Sequence, residues 1–418
     1  THFGFSLRHR TQIDQQSKLG RQRYAKCDAP MKLSGFAIGL CALLLTACAA
    51  DAPDTYAVKD PDSTGLESKP TTTDATSESG PQDAQSSDAT PTSIPDSSPT
   101  TTPENAPDGP VAKGPVAPYR GTPVDPSVLL APQLALKIDN APSAVPQQGI
   151  QEADIVFEEL VEGGLTRFLA VFQSQVPEFV GPIRSGRSSD IPLLMPFDGA
   201  LFGWSGSNWA FRQLLKTVAI TDVGLYRNPA QYWRKEDRPA PSNLWARAAQ
   251  LLGEVEDKTS PVEPLWPFRE SLRKDEARRT VGGVEVDWGS VQVSFRWVDD
   301  KNNWQRFQNE DKHLALNRSG EEVEVAAQNV IIQFTKYLLT NEVDANGARI
   351  PVAELSEGSG TAWILKDGQI TEGRWVKPNI TVHTQFVDET GKAIAMAPGS
   401  TWVLLAPRGT ATILEIDD

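Results

Sequence analysis

From Ala49 to about Pro118 the chain is made almost entirely of Ser, Thr, Pro, Asp and Ala, with very little that is large and apolar. Such a stretch cannot bury enough surface to offset the entropy lost on ordering, so residues 49–118 are expected to form a disordered tether. A coil of this length spans roughly 45 Å root-mean-square and much more when stretched. A globular body must therefore be built from the residues after it, and the residues before it must serve another purpose.

Before the tether, Met31-Lys32 leads into an uncharged apolar run, Leu33 to Ala47, of 15 residues. That is short of the ~20 residues a membrane span needs, and it fits the n- and h-regions of a signal peptide. The end of the run, Leu45-Thr46-Ala47-Cys48, looks like a bacterial lipobox. Residues 31–48 are thus expected to be a lipoprotein signal peptide. Cys48 would be lipidated and would anchor the protein to the extracytoplasmic face of the bacterial cell membrane. Residues 1–30, polar, basic and without hydrophobic periodicity, are read as an upstream segment outside the fold.

The net charge of −14 argues against a nucleic-acid partner. Residues 1–48 carry seven Lys/Arg against two Asp/Glu and residues 49–113 carry three against twelve, which leaves ten net negative charges to residues 114–418. Any basic patch on the folded part is local. The three cysteines, Cys27, Cys41 and Cys48, all precede the tether, so the folded region has no disulfide, thiol nucleophile or Cys-ligated zinc. Only His313 and His383 lie beyond it. A multi-histidine metal site is excluded, and no cofactor or metal is expected.

Residues 125–268 read as an α/β-type domain with a mixed sheet. Leu134–Ile138 is a short strand, and Ile155–Leu160 and Leu165–Phe172 form a hairpin about Gly163-Gly164. With a two-residue turn, Glu158, Glu162 and Arg167 share one face. Phe168–Phe172 has no polar interruption and should be central. The chain then reaches Gly181-Pro-Ile-Arg-Ser-Gly-Arg-Ser-Ser-Asp190. Guanidinium forks, hydroxyls and glycine-exposed backbone donors are what a phosphate, sulfate or carboxylate site needs. A helix starting at Ser188 or Ser189 would complete an anion nest; the bland alternative is a loop whose arginines pair with Glu158 or Glu162. A second strand-to-loop passage, Ala200 to Asn208, leads into a helix over Trp209–Lys216 capped by Asn208. A last helix is expected from Ser242 to about Glu256.

Lys137-Ile-Asp-Asn140, the run Ala153 to Phe172, and Gly181-Pro-Ile-Arg-Ser185 with Arg187 resemble the YerB-like bacterial lipoproteins. The resemblance runs from about residue 130 to the C-terminus. It implies a two-domain body and an exported, lipid-anchored habit, with no established activity.

Residues 280–418 read as a mostly antiparallel β domain, so the fold class is α+β overall. Strands are expected at Val291–Val298, Asn329–Phe334, Thr381–Val387, Thr401–Leu405 and Ala411–Ile416. A hairpin joins Trp363–Lys366 to Gln369–Trp375 through a type I′ turn at Asp367-Gly368. Gly358-Ser-Gly360, Gly373 to Lys377 and Pro398 to Trp402 resemble the second domain of the same family. Trp304, Arg306 and His313 share a hairpin-like stretch, where a histidine is more often structural than catalytic.

Three functions fit these residues. The first is a binding module that holds an anionic, for example phosphorylated, envelope ligand through Arg167, Arg184, Ser185, Arg187, Ser188 and Asn208. The second is a phosphotransferase or hydrolase in which the arginines stabilise developing charge and Glu158, Glu162 or Asp190 is the base or holds a divalent metal, with His313 a further candidate acid or base. The third is an envelope scaffold. Composition favours the first, because no carboxylate is marked by sequence as perturbed. The discriminating geometry is whether the carboxylates ring a pocket with Arg184 and Arg187 or neutralise them in pairs.

Overall fold

Leu134–Asp139 and Thr166–Phe172 are buried at every position, a pattern that requires cover on both faces of the sheet they enter. The computed structural model describes residues 114–197, 199–253, 261–270, 276, 278–344 and 346–416. The expected upstream segment (1–30), signal peptide (31–48), Cys48 and nearly all of the tether lie outside the described residues.

Among the described residues the largest sheet has eleven strands. In chain order they are β1 (Leu134–Asp139), β2 (Ile155–Leu160), β3 (Thr166–Phe172), β4 (Leu201–Gly203), β5 (Thr221–Asp222), β6 (Arg279–Thr280), β7 (Asn329–Gln333), β8 (Gly358–Lys366), β9 (Gln369–Lys377), β10 (Gln385–Val387) and β11 (Thr401–Leu404). Their spatial order is β6-β9-β8-β7-β11-β2-β3-β1-β4-β5, with β10 beside β9. The sheet is mixed. β11 runs parallel to β7 on one side and to β2 on the other, Thr401 facing Ile155 and Leu404 facing Glu158. Strands from both halves of the sequence thus form one continuous sheet.

One face of this sheet is covered by a second, six-stranded sheet that includes Gly283–Asp287, Gln292–Val298, Asn303–Gln308 and Ala411–Leu414. Phe168, Phe295 and Trp402 pack between the two, Trp402 lying 5.2 Å from Phe168 and 5.6 Å from Phe295 by ring centroids. The other face is covered by loops and by α1 (Asp190–Leu194) and α2 (Trp209–Leu215), which bring Ile191, Leu194, Phe211 and Leu215 against Phe157, Leu169 and Phe202.

The α/β layer expected for residues 125–268 is present only as the mixed sheet. The α-helices among the described residues, α1, α2 and α3 (Ala248–Leu252), have five, seven and five residues, the other helical turns are short 3-10 segments, and the protein is mostly β. Pro196 follows Met195, the C-cap of α1, and opposes extension of the helix, and Gly253 is the C-cap of α3. The helix expected from Ser242 is displaced by a strand, Leu244–Arg247, that pairs with both Phe179–Val180 and Tyr232–Arg234. α2 has the expected cap: Asn208 Oδ1 accepts from Phe211 N at 2.7 Å.

Two hairpins show how loop length sets register. At Asp367-Gly368 both residues have positive φ, 51° and 69°, as a type I′ turn requires, and Lys366 faces Gln369 as expected. In the β2–β3 hairpin the loop holds three residues, Glu162 to Gly164, closed by Val161 N to Leu165 O at 2.8 Å. The expected two-residue turn therefore gives a register one residue out. Glu159, not Leu160, faces Arg167, and Glu158 faces Phe168. A one-residue slip turns every side chain to the opposite face, so Glu158 does not share a face with Arg167, whereas Glu159 does.

Candidate functional site

β4 pairs with β1 only as far as Leu136, and beyond that point the Gly181–Asp190 segment takes its place. Asp139 N donates to Pro182 O at 2.9 Å and Arg184 N to Lys137 O at 2.8 Å. The second loop, after β4, docks on the first: Ser205 N reaches Arg184 O at 2.9 Å and Gly186 N reaches Gly206 O at 3.1 Å. Gly206 has φ of 82°, and a Cβ there would lie 2.9 Å from Ser185 Oγ, so the close approach of the two loops suits glycine.

Beneath these loops, on the face that carries Glu159 and Arg167, four cations meet four carboxylates. Lys137, fully buried, donates to Glu159 Oε1 and to Asp190 Oδ1, the latter at 2.7 Å. Arg184 Nε lies 3.0 Å from Asp139 Oδ2. Glu162 takes both remaining guanidiniums: Arg167 Nη2 at 3.1 Å, and Arg187 through Nη2 to Oε1 and through Nε to Oε2 at 3.1 Å. Arg167 also reaches Ser185 O at 3.4 Å. Each arginine thus engages a carboxylate, Arg184 that of Asp139 and Arg167 and Arg187 the shared Glu162, rather than pointing into an open pocket.

Burial, the largest influence here, raises the carboxyl of Glu159 to about 7, helped by the nearby Asp190 charge and opposed by Lys137. For Glu162, burial also works upward, but Arg167 and Arg187 outweigh it and hold the carboxyl below its usual range. Burial and the neighbouring Arg187 charge bring Arg167 down to about 10, so it stays protonated at neutral pH.

Two of the backbone donors expected of an anion nest, Gly186 N and Arg187 N, are taken by the chain itself. Asp190 Oδ2 accepts from Arg187 N at 2.7 Å. Ser189 occupies the cap position of α1 without capping it; its hydroxyl accepts from Ala353 N at 3.0 Å. Ser188 and Asn208 differ from the arginines. Ser188 Oγ donates to the carboxylate of Glu342, 3.0 Å from either oxygen, and Asn208 Nδ2 donates to Glu342 Oε2 at 2.6 Å. Glu342 is delivered by a hairpin of Tyr337–Val343 and Arg349–Ala353, whose Leu338, Leu339 and Val343 are exposed. One donor from each loop therefore converges on a single carboxylate carried by a separate element.

Glu158 and His313 lie on the opposite face of the sheet, under the second sheet. Glu158 Oε1 accepts from Arg306 Nη2 at 2.8 Å and from Thr166 Oγ1 at 2.8 Å, with Glu158 and Arg306 both excluded from solvent. Arg306 Nη1 is 2.6 Å from His313 Nδ1, and His313 Nε2 is 2.7 Å from Gln147 Oε1. Because a guanidinium only donates, Nδ1 must accept and Nε2 must carry the proton. Burial and the Arg306 charge hold His313 well below its usual pKa, so the imidazole stays neutral. Burial raises Glu158 against the pull of Arg306.

The candidate acids and bases are consequently divided: Glu162 and Asp190 on one face, Glu158 and His313 on the other. Lys137, Asp139, Glu159 and Glu342 belong to the first site and were not marked by sequence reasoning. Alternation with the correct loop length would have found Glu159. Nothing local could have found Glu342, which lies 154 residues from Ser188.

Among the described residues no group of His, Cys, Asp or Glu is arranged to hold a metal ion, and no helix is long and apolar enough to cross a membrane.

Comparison with known proteins matches residues 121–261 to the N-terminal domain and residues 284–403 to the C-terminal domain of "Protein of unknown function (DUF3048)". The chain is 30% identical over 283 residues to the Bacillus subtilis protein named "Putative lipoprotein YerB", covering 66% of this chain and 81% of that one. The crystal structure of YerB from Bacillus subtilis superposes with a TM-score of 0.60 at 26% identity, over 71% of this chain and 99% of that one.

Proposed function

On the premise that this chain belongs to the YerB-like family, whose two domains are of unknown function, we propose that it is a lipid-anchored, extracytoplasmic binding protein. Its two loops, 184–188 and 204–208, hold a carboxylate or phosphate group of an envelope ligand. The observation that carries this reading is the convergence of Ser188 Oγ and Asn208 Nδ2 on Glu342. Two neutral donors from different loops aimed at one anionic group are what an anion seat provides, and charge-assisted hydrogen bonds of this kind are strong. In this reading Glu342 occupies the seat as an internal stand-in and leaves when its hairpin lifts. The arginines named by sequence reasoning have a supporting part. Arg167, Arg184 and Arg187 are engaged by Glu162 and Asp139 and fix the backbone that presents Ser185 and Ser188.

Glu342→Ala empties the seat and should allow inorganic phosphate or acetate to raise the melting temperature of the protein, where the parent responds weakly. Adding Ser188→Ala and Asn208→Ala to Glu342→Ala should abolish the response. An unchanged melting temperature for Glu342→Ala at millimolar phosphate and acetate would remove the reading.

The anchor rests on the Leu45 to Cys48 motif and on the lipoprotein name of the relative. Expressed in a bacterium, the protein should partition into the detergent phase and carry a diacylglyceryl group on Cys48, and Cys48→Ala should shift it to the aqueous phase. Equal membrane retention of Cys48→Ala would sink the anchor.

A further inference from the structure

A groove of about 780 Å3 opens where α2 meets β4 and the edge strand β5, lined by Trp204, Arg212, Lys216, Asp222, Tyr226 and Arg227. We propose that this groove binds an acidic polysaccharide. Its volume lies within the roughly 300–1,000 Å3 that ligand pockets occupy. Its floor is apolar, formed by the buried Leu215 and Ile220.

Two aromatic rings pack together in its wall. Trp204 and Tyr226 have centroids 6.0 Å apart, and Tyr226 is 68% exposed. The indole is locked in place: Trp204 Nε1 donates to Asp222 Oδ1 at 2.9 Å, and the same oxygen accepts from Gly224 N at 2.9 Å. A Cβ on Gly224 would come within 2.8 Å of Trp204 Nε1, so the backbone there lies tight against the ring. Trp204 is only 3% exposed and serves as a rigid backing, against which the exposed phenol ring of Tyr226 offers the flat apolar face that the C–H side of a sugar ring needs.

The charge of the groove is opposite to that of the body. Residues 114–418 carry ten net negative charges, yet the groove presents Arg212, Lys216 and Arg227, all exposed, against the single carboxylate of Asp222. Asp222 is already committed to Trp204 and Gly224 and stands 3.7 Å from Arg227. Lys216 has no ion-pair partner among the described residues. On an acidic surface such a patch attracts polyanions locally while the remainder repels them. A neutral glycan would leave the cations unmatched, and a polyanion without sugar rings would leave the exposed ring of Tyr226 unused. The groove does not use Ser188, Asn208 or Glu342, so this inference and the proposed anion seat fail independently.

The test uses the full chain with four probes: oligogalacturonate, sulfated dextran, neutral dextran of matched length, and polyphosphate. Binding is followed by tryptophan fluorescence. Oligogalacturonate or sulfated dextran should bind with an affinity that falls as salt is added, and neutral dextran and polyphosphate should bind at least about tenfold more weakly, for want of the charge contacts in one and the stacking contacts in the other. Lys216→Ala and Tyr226→Ala should each weaken binding about tenfold. Trp209→Ala, on an equally exposed ring of α2 that does not line the groove, should leave it unchanged. Near-UV circular dichroism checks that the variants remain folded. Absence of binding by both acidic glycans, equal binding of polyphosphate or neutral dextran, or indifference to Lys216→Ala and Tyr226→Ala would overturn the proposal.

Discussion

Lys137→Met is expected to lower the folding stability by about 3–5 kcal/mol at pH 8, read from urea unfolding by tryptophan fluorescence. All eleven tryptophans lie between residues 204 and 402, so the signal reports the folded body. Lys137 is fully buried and is the common partner of Glu159 and Asp190. Methionine fills similar space but leaves two buried carboxylates side by side, and removing one member of a buried ion group strands the charge of the others. The loss should depend on pH in a defined direction. Glu159 already has its pKa raised to about 7 in the folded protein, above its unfolded value. The folded state therefore keeps a proton that the unfolded state releases once pH exceeds about 4.5, and stability falls as pH rises from there through the folded pKa. Without Lys137 the folded pKa moves higher and the window widens upward, so the defect should be smaller at pH 5 than at pH 8. A loss below about 1 kcal/mol, or one equal at both pH values, would show that Lys137 does not balance these carboxylates.

Arg306→Ala should be comparably damaging, about 3–5 kcal/mol, because it strands Glu158 and leaves His313 Nδ1 without its donor. The guanidinium also lies 5.2 Å from the ring of Phe168 and 5.3 Å from that of Trp402, so its removal opens a void between the two sheets. The double replacement Arg306→Met with Glu158→Leu should recover most of the loss, since a buried ion pair exchanged for apolar groups of similar volume is often close to neutral. A double variant no better than the sum of the single losses would mean that shape, not charge, holds this junction.

What could be read from sequence was what neighbouring residues decide. The Asn208 cap, the Asp367-Gly368 turn and the unbroken apolar run of β3 each follow from a few adjacent side chains. The candidate site was legible as a location, since Gly181–Asp190 does gather Arg184, Arg187, Ser188 and Asp190 at one end of β1. Its partners were not. Including Glu162 in the hairpin loop moved the register by one and exchanged Glu158 for Glu159. The strand at Leu244–Arg247 depends on Phe179–Val180, more than sixty residues earlier, and Glu342 depends on a hairpin from the other half of the chain. Such pairings are decided by tertiary contact, which overrides local preference.

The parallel seam between β2 and β11 constrains ancestry. Four residue pairs, from Ile155 with Thr401 to Glu158 with Leu404, join segments that match two separate domain descriptions. Either half alone would present a bare, apolar strand edge at the middle of what is now a buried sheet. Selection for a covered sheet is therefore expected to keep the two domains together. A gene that lost, duplicated or exchanged one of them would need a replacement strand at this position, and a relative carrying a single domain is expected to have acquired one.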